Sequence, residues 1–150
     1  MSESFMPDSS VTVAASLRFH PDHERCRADL ERRLGRGDEL VLAAHSLAEL
    51  YSTLTRMPPP NRISPPAAIN LIRTNFLDRA RVVVSLHADG YVALLADLAA
   101  RGLAGGRTYD AVIARTADDA RVDVFLTRNL RDFEGLLVHA RLETPGPAQR

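Results

Sequence analysis

The sequence contains no lysine, no tryptophan and one cysteine, Cys26, and only 5% of its 150 residues are aromatic. Without an ε-ammonium the chain cannot build a Walker-A phosphate loop, a Schiff base, a pyridoxal-phosphate attachment or the strand lysine of a kinase, because each needs that group at a fixed point. A single cysteine excludes an internal disulfide, a Cys-x-x-Cys pair and a cysteine-rich zinc site, and it fits a reducing cytoplasm. No stretch approaches the roughly 20 apolar residues of a bilayer span, and residues 1–7 carry no basic cluster ahead of an apolar run. A cytoplasmic protein without a membrane segment is expected. An excess of charge is missing as well, since 19 arginines meet 19 acidic residues. That balance argues against a strongly basic nucleic-acid clamp, though not against local patches.

What is present suits one domain. Hydrophobic residues make up 45% of the chain, and a chain of this length buries about 70% of the surface it exposes when unfolded, so the core needs no staple. The domain is expected to span residues 1–143, with a frayed tail over 144–150 containing Pro145, Gly146 and Pro147. Apolar runs predict strands at 4–7, 39–43, 81–85 and 121–127, with a fifth around 138–142. Helical patterns fill the gaps at 11–17, 22–34, 46–57, 65–77, 89–101 and 109–120, and Ser64 ahead of Pro65 and Pro66 reads as a capped helix start. Such alternation predicts an α/β fold with a mainly parallel central sheet of four to five strands and helices on both faces. Ligands in such sheets collect beyond the carboxyl ends of the strands.

Several polar residues fall at those ends. Asp8 follows the first strand and precedes Ser9 and Ser10, a pattern that equally describes a helix N-cap. Glu49 lies one turn beyond His45. Helical periodicity puts it opposite the apolar stripe of Leu47, Leu50, Tyr51 and Leu54, beside Ser52 and Arg56, so it reads as solvated unless the start of its helix faces the strand ends. Asp110 instead shares a face with Ile113, Ala114 and Ala117, and a carboxylate on the inward side of a helix needs a partner. Its first-turn position contributes about 0.3–1 kcal/mol. Burying an ion costs several kcal/mol, so a cation or a water-filled pocket is also required. The same periodicity assigns Asp118 and Asp119 to the surface. Thr127, Asn129 and Asp132 follow the fourth strand, where Asn129 also suits a turn cap ahead of Phe133.

Carboxylates converging on one pocket take up protons unless a divalent cation neutralises them, and oxygen donors alone select Mg²⁺ or Mn²⁺. A competing zinc site, His20, His23 and Cys26 at spacings of three, lacks a fourth ligand. A helix start at Pro21, with Asp22 and Glu24 in its first turn, accounts for that segment more simply.

In order and spacing these residues resemble the PIN-domain ribonucleases, most closely the VapC-type toxins of bacterial type II toxin–antitoxin pairs. The resemblance spans nearly the whole chain: Pro7-Asp8-Ser9-Ser10-Val11, then Ala48-Glu49-Leu50 running to Leu54-Thr55-Arg56, then Tyr109-Asp110-Ala111-Val112-Ile113, and last Leu126-Thr127-Arg128-Asn129 leading to Asp132-Phe133. It implies a PIN-like three-layer fold and metal-dependent hydrolysis of RNA, with Asp8, Asp110 and Glu49 at Mg²⁺ (or Mn²⁺) and Asp132 with Asn129 assisting. It also implies a homodimer, a cognate antitoxin partner, and RNA-gripping arginines among Arg56, Arg115, Arg128 and Arg131. Asn129 departs from the pattern, because many members carry an aspartate there. An amide brings no charge, and this leaves a second reading, a catalytically weak PIN-like module that binds RNA or protein.

Overall fold

The computed structural model describes residues 1–147. Its strands are β1 (Ser4–Pro7), β2 (Glu39–Ala43), β3 (Val82–Val84), β4 (Val124–Leu126) and β5 (Arg141–Glu143). Its helices are α1 (Ser9–Ser16), α2 (His23–Gly35), α3 (Ala44–Arg56), α4 (Pro65–Asn75), α5 (Ala88–Ala100), α6 (Arg107–Asp119) and the single turn α7 (Leu130–Phe133). The five strands form one sheet in the order β3-β2-β1-β4-β5, and every pairing is parallel. All strands therefore end at the same edge, and β1 lies at its centre.

Successive strand residues point to opposite faces, and here each face is apolar. Phe5, Leu40, Leu42, Val124 and Leu126 pack with Val11, Leu30, Leu50, Leu54 and Ile72 from α1 to α4. Met6, Val41, Ala43 and Phe125 pack on the other side with Leu94, Leu98, Ile113 and Phe133 from α5 to α7. The result is the expected helix–sheet–helix sandwich, with the fifth strand present. Ser64 caps α4 by accepting from the Ala67 amide at 3.4 Å, with proline at the start of the helix as anticipated.

Three local expectations need correction. Pro21 lies outside α2, which starts at His23; Asp22 takes the N-cap position without a capping bond, its carboxylate accepting from Arg128 instead. Tyr51 is not in the core but 38% exposed, so the buried stripe of α3 is the narrower Leu50 and Leu54. Asp118 is not merely solvated, since its two oxygens accept from the amides of Val138, His139 and Ala140 and tie down the segment that leads into β5. In the segment expected as a tail, Pro145 is buried, its carbonyl accepts from Arg25, and the Gly146 amide donates to Asp29 at 3.1 Å. The remainder of the predicted tail, 148–150, lies outside the described residues. No described helix is long and apolar enough to cross a membrane.

Candidate active site

Asp8 leaves the end of β1 at the centre of the carboxyl edge. Its amide donates to the Leu126 carbonyl at 2.9 Å and so extends the β1–β4 pairing by one residue. The side chain is the N-cap of α1, with Oδ1 accepting from the Val11 amide at 3.2 Å, and it also faces the site. The N-cap reading of Asp8 from the sequence is met. The Ser10 hydroxyl donates to Oδ1 at 2.6 Å and the Thr127 hydroxyl to Oδ2 at 2.6 Å. These hydroxyls accept in turn from the next loop, Ser10 from the Arg128 amide at 3.1 Å and Thr127 from the Asn129 amide at 3.0 Å. Two relays thus join the backbone after β4 to a single buried carboxylate. Burial pushes the Asp8 pKa up, and the hydroxyl and amide donors pull against it.

Glu49 reaches the site because β2 runs directly into α3. The helix begins at Ala44 with no capping side chain between, so its first turns overhang the edge of the sheet. The polar stripe of α3, which periodicity alone assigns to solvent, lines an open groove of about 700 Å³ with His45, Glu49, Ser52 and Arg56, opposite Ser9 and Tyr109. Glu49 Oε1 is buried with no hydrogen-bond partner. His45 Nε2 stands 3.7 Å from it, beyond hydrogen-bond reach. Burial raises the Glu49 pKa, His45 opposes that, and the charges of Asp8 and Asp110 raise it further.

Asp110 sits in the first turn of α6, half-buried on the inward side as periodicity predicts. Its pKa is raised first by burial, then by the charges of Asp132 and Asp8, against a smaller lowering by Arg107. Asp132 and Asn129 are exposed on the loop and short helix after β4. Asn129 occupies the N-cap position of α7, but its side chain makes no capping bond. Asp8 and Asp110 therefore act electrostatically on Glu49, and Asp8 and Asp132 on Asp110.

Every anionic donor in this cluster is an oxygen, and the orphaned Oε1 of Glu49 and the mutual raising of pKa values both call for a hard cation. Among the described residues no three histidine, cysteine or acidic side chains close into a ready-made cage. The zinc alternative finds no support. His20 Nδ1 accepts from the Asp22 amide, His23 Nδ1 lies 3.0 Å from the Ala14 carbonyl, and Cys26 is buried, its thiol pushed up to about 11 by burial.

The arginines divide. Arg128 is paired with Asp22 at 2.6 Å and Arg115 with Asp97 at 3.3 Å. Arg56 and Arg131 form no ion pair among the described residues and line grooves on either side of the cluster. Two features escaped the sequence reading. Ser10 gave no sign of binding Asp8 beyond its place after that residue, and the stacking of Tyr109 on His45 depends on the meeting of α3 and α6, elements that lie far apart in the chain.

Fold and site together define an α/β domain whose acidic centre sits at the carboxyl edge of a parallel sheet. The family model described as PIN domain matches residues 5–135. Ribonuclease VapC40 of Mycobacterium tuberculosis is 39% identical over 145 residues, 92% of this chain and 98% of that protein. Among solved structures, DNA-bound VapBC from Salmonella typhimurium aligns with 97% of this chain and 100% of its own at a TM-score of 0.65 and 25% identity. VapBC2 from Rickettsia felis, bound to a fragment of promoter DNA, aligns with 94% and 98% at a TM-score of 0.67 and 22% identity, which speaks for the fold alone. The chain belongs to the PIN domain family, as a member of its VapC type.

Proposed function

We propose that the protein is a Mg²⁺-dependent endoribonuclease, the toxin of a toxin–antitoxin pair, which hydrolyses RNA phosphodiesters at the carboxylate cluster. The observation that carries this reading is the meeting of Asp8, Glu49 and Asp110 at one edge of the sheet, with Glu49 Oε1 buried and unpaired. In this reading Asp8, Asp110 and Glu49 hold Mg²⁺ or Mn²⁺. The chemistry such an ion supplies is an activated water and stabilisation of charge on the phosphoryl oxygens. Asp8 is the rigid member, with both oxygens already aimed by hydroxyl donors. Glu49 offers its unpartnered oxygen to the ion or to the attacking water. Asp132 strengthens the negative field at Asp110, and the Asn129 amide, held in place by the backbone bond to Thr127, orients water without adding charge.

Similarity to VapC40, named a ribonuclease, supports RNA as the substrate, and the VapBC assemblies support an antitoxin partner. A homodimer is supported by the apolar outer side of α5, where Val92 and Leu95 are 68% and 52% exposed, and by the uncovered edge strand β3. Expression in a bacterial host tests the toxin role. Growth arrest relieved by Asp8→Ala, and by co-expression of a small protein encoded beside this gene, is expected; growth unaffected by the wild-type chain contradicts it. The neutral amide at Asn129 favours the second reading, a binding module without turnover, and cleavage of RNA by the purified protein decides between the two.

A further inference from the structure

We propose that Tyr109, backed by His45, is a stacking platform for one unpaired nucleobase next to the scissile phosphate, and so selects single-stranded or splayed-out RNA. The proposal rests on the ribonuclease reading above and assigns a specificity role within that site. Tyr109 is 58% exposed although it is aromatic and stands in the first turn of a helix whose other face is core. What orders it is His45, whose ring lies 5.5 Å away, centroid to centroid, and 7° from parallel. A ring braced on one side by a second ring and open to solvent presents a rigid π face, which is what a nucleobase needs.

The surroundings match a nucleotide. Tyr109 lines the same groove as Glu49, so a base stacked on it brings its phosphate toward the carboxylate cluster. The same groove carries Arg56, which has no acidic partner among the described residues and suits the next backbone phosphate, and Ser9 and Ser52 also line it with hydroxyls for sugar or base edges. Its volume of about 700 Å³ is that of a ligand cleft. In a duplex both faces of each base are already stacked, so only a base that has left the helix can use such a platform.

The test uses a single-stranded oligoribonucleotide carrying one 2-aminopurine, whose emission falls on stacking, and the full chain in an Asp110→Asn background so that bound RNA stays intact. Tyr109→Leu is expected to abolish the quenching and weaken binding by roughly 10- to 100-fold, whereas Tyr109→Phe keeps both. With Asp110 restored, Tyr109→Leu raises KM for cleavage and leaves kcat nearly unchanged. Binding and quenching by Tyr109→Leu equal to those of the parent overturn the proposal while leaving the ribonuclease reading intact. Loss of antitoxin binding alone, with RNA binding unchanged, also overturns it in favour of a protein-docking residue. Tyr109-dependent quenching by a chain that cleaves no RNA upholds the platform and sinks the nuclease.

Discussion

At the scale of single residues the site is organised around one buried carboxylate. Thr127 is fully buried, and its hydroxyl donates to Asp8 while accepting from Asn129. Thr127→Val preserves shape and removes both bonds, leaving Asp8 Oδ2 without its donor and the Asn129 amide without its acceptor. The variant is expected to lose about 1–3 kcal/mol of stability in urea unfolding, whereas Thr127→Ser retains most of it. The acids also set a pH dependence. Asp8, Glu49 and Asp110 all have pKa values raised above the usual carboxylate range, so the folded chain holds protons that the unfolded chain releases. Their contribution to stability is present at acidic pH and is lost as pH rises above about 4 through the raised values. A divalent ion removes that repulsion. Mg²⁺ is therefore expected to raise Tm at pH 7.5 and to do so progressively less as pH falls through the raised values, and metal-free Asp110→Asn is expected to melt above the wild type at pH 7.5. Each 1 kcal/mol of repulsion relieved corresponds to roughly 2–4 °C. A Mg²⁺ increment that does not depend on pH contradicts this assignment of the acids.

At the scale of elements, what the sequence revealed depended on whether the signal was local. Asp110 was legible because the face it shares with Ile113, Ala114 and Ala117 is a property of one helix. Glu49 was not, because its direction follows from where α3 begins relative to the end of β2, and a start at Ala44 in place of the expected position 46 carries the polar stripe over the sheet edge. Arg128 read as a candidate grip for RNA, yet its partner Asp22 sits in a distant segment that no periodicity connects to it. Asp118 was misread for the same reason, its three amide donors arriving from residues 138–140. Arg56, by contrast, remains available at the far end of the α3 groove. Arg56→Gln is expected to weaken RNA binding across sequences and to reduce the slope of log affinity against log salt by about 1, measured by titration at several salt concentrations. An unchanged slope removes Arg56 from the backbone contacts.

Over the whole molecule, an equal number of arginines and acids does not mean a featureless surface. Asp8, Glu49 and Asp110 gather at the carboxyl edge of the sheet, and many of the arginines are spent on structure, as where Arg33 joins Asp29 of α2 to Glu143 of β5. The alternation of strand and helix sufficed to predict a parallel sheet with two helical layers, because strands apolar on both faces have no other stable setting. The remaining apolar surface on α5 bears on assembly. Leu95→Asp is expected to convert a dimer to a monomer in light scattering while leaving Tm nearly unchanged, since Leu95 is half exposed in the single chain; a wild-type chain that is already monomeric at micromolar concentration contradicts the homodimer. The most direct measurement is cleavage of single-stranded RNA by the purified protein with Mg²⁺, compared with Asp8→Ala and Asp110→Ala proteins shown to fold by their melting curves. Cleavage by the wild type that stops on chelation and is lost in both variants is the predicted result. RNA left intact by the wild type with either Mg²⁺ or Mn²⁺, or cleavage that persists in the variants, contradicts the carboxylate centre as the seat of catalysis.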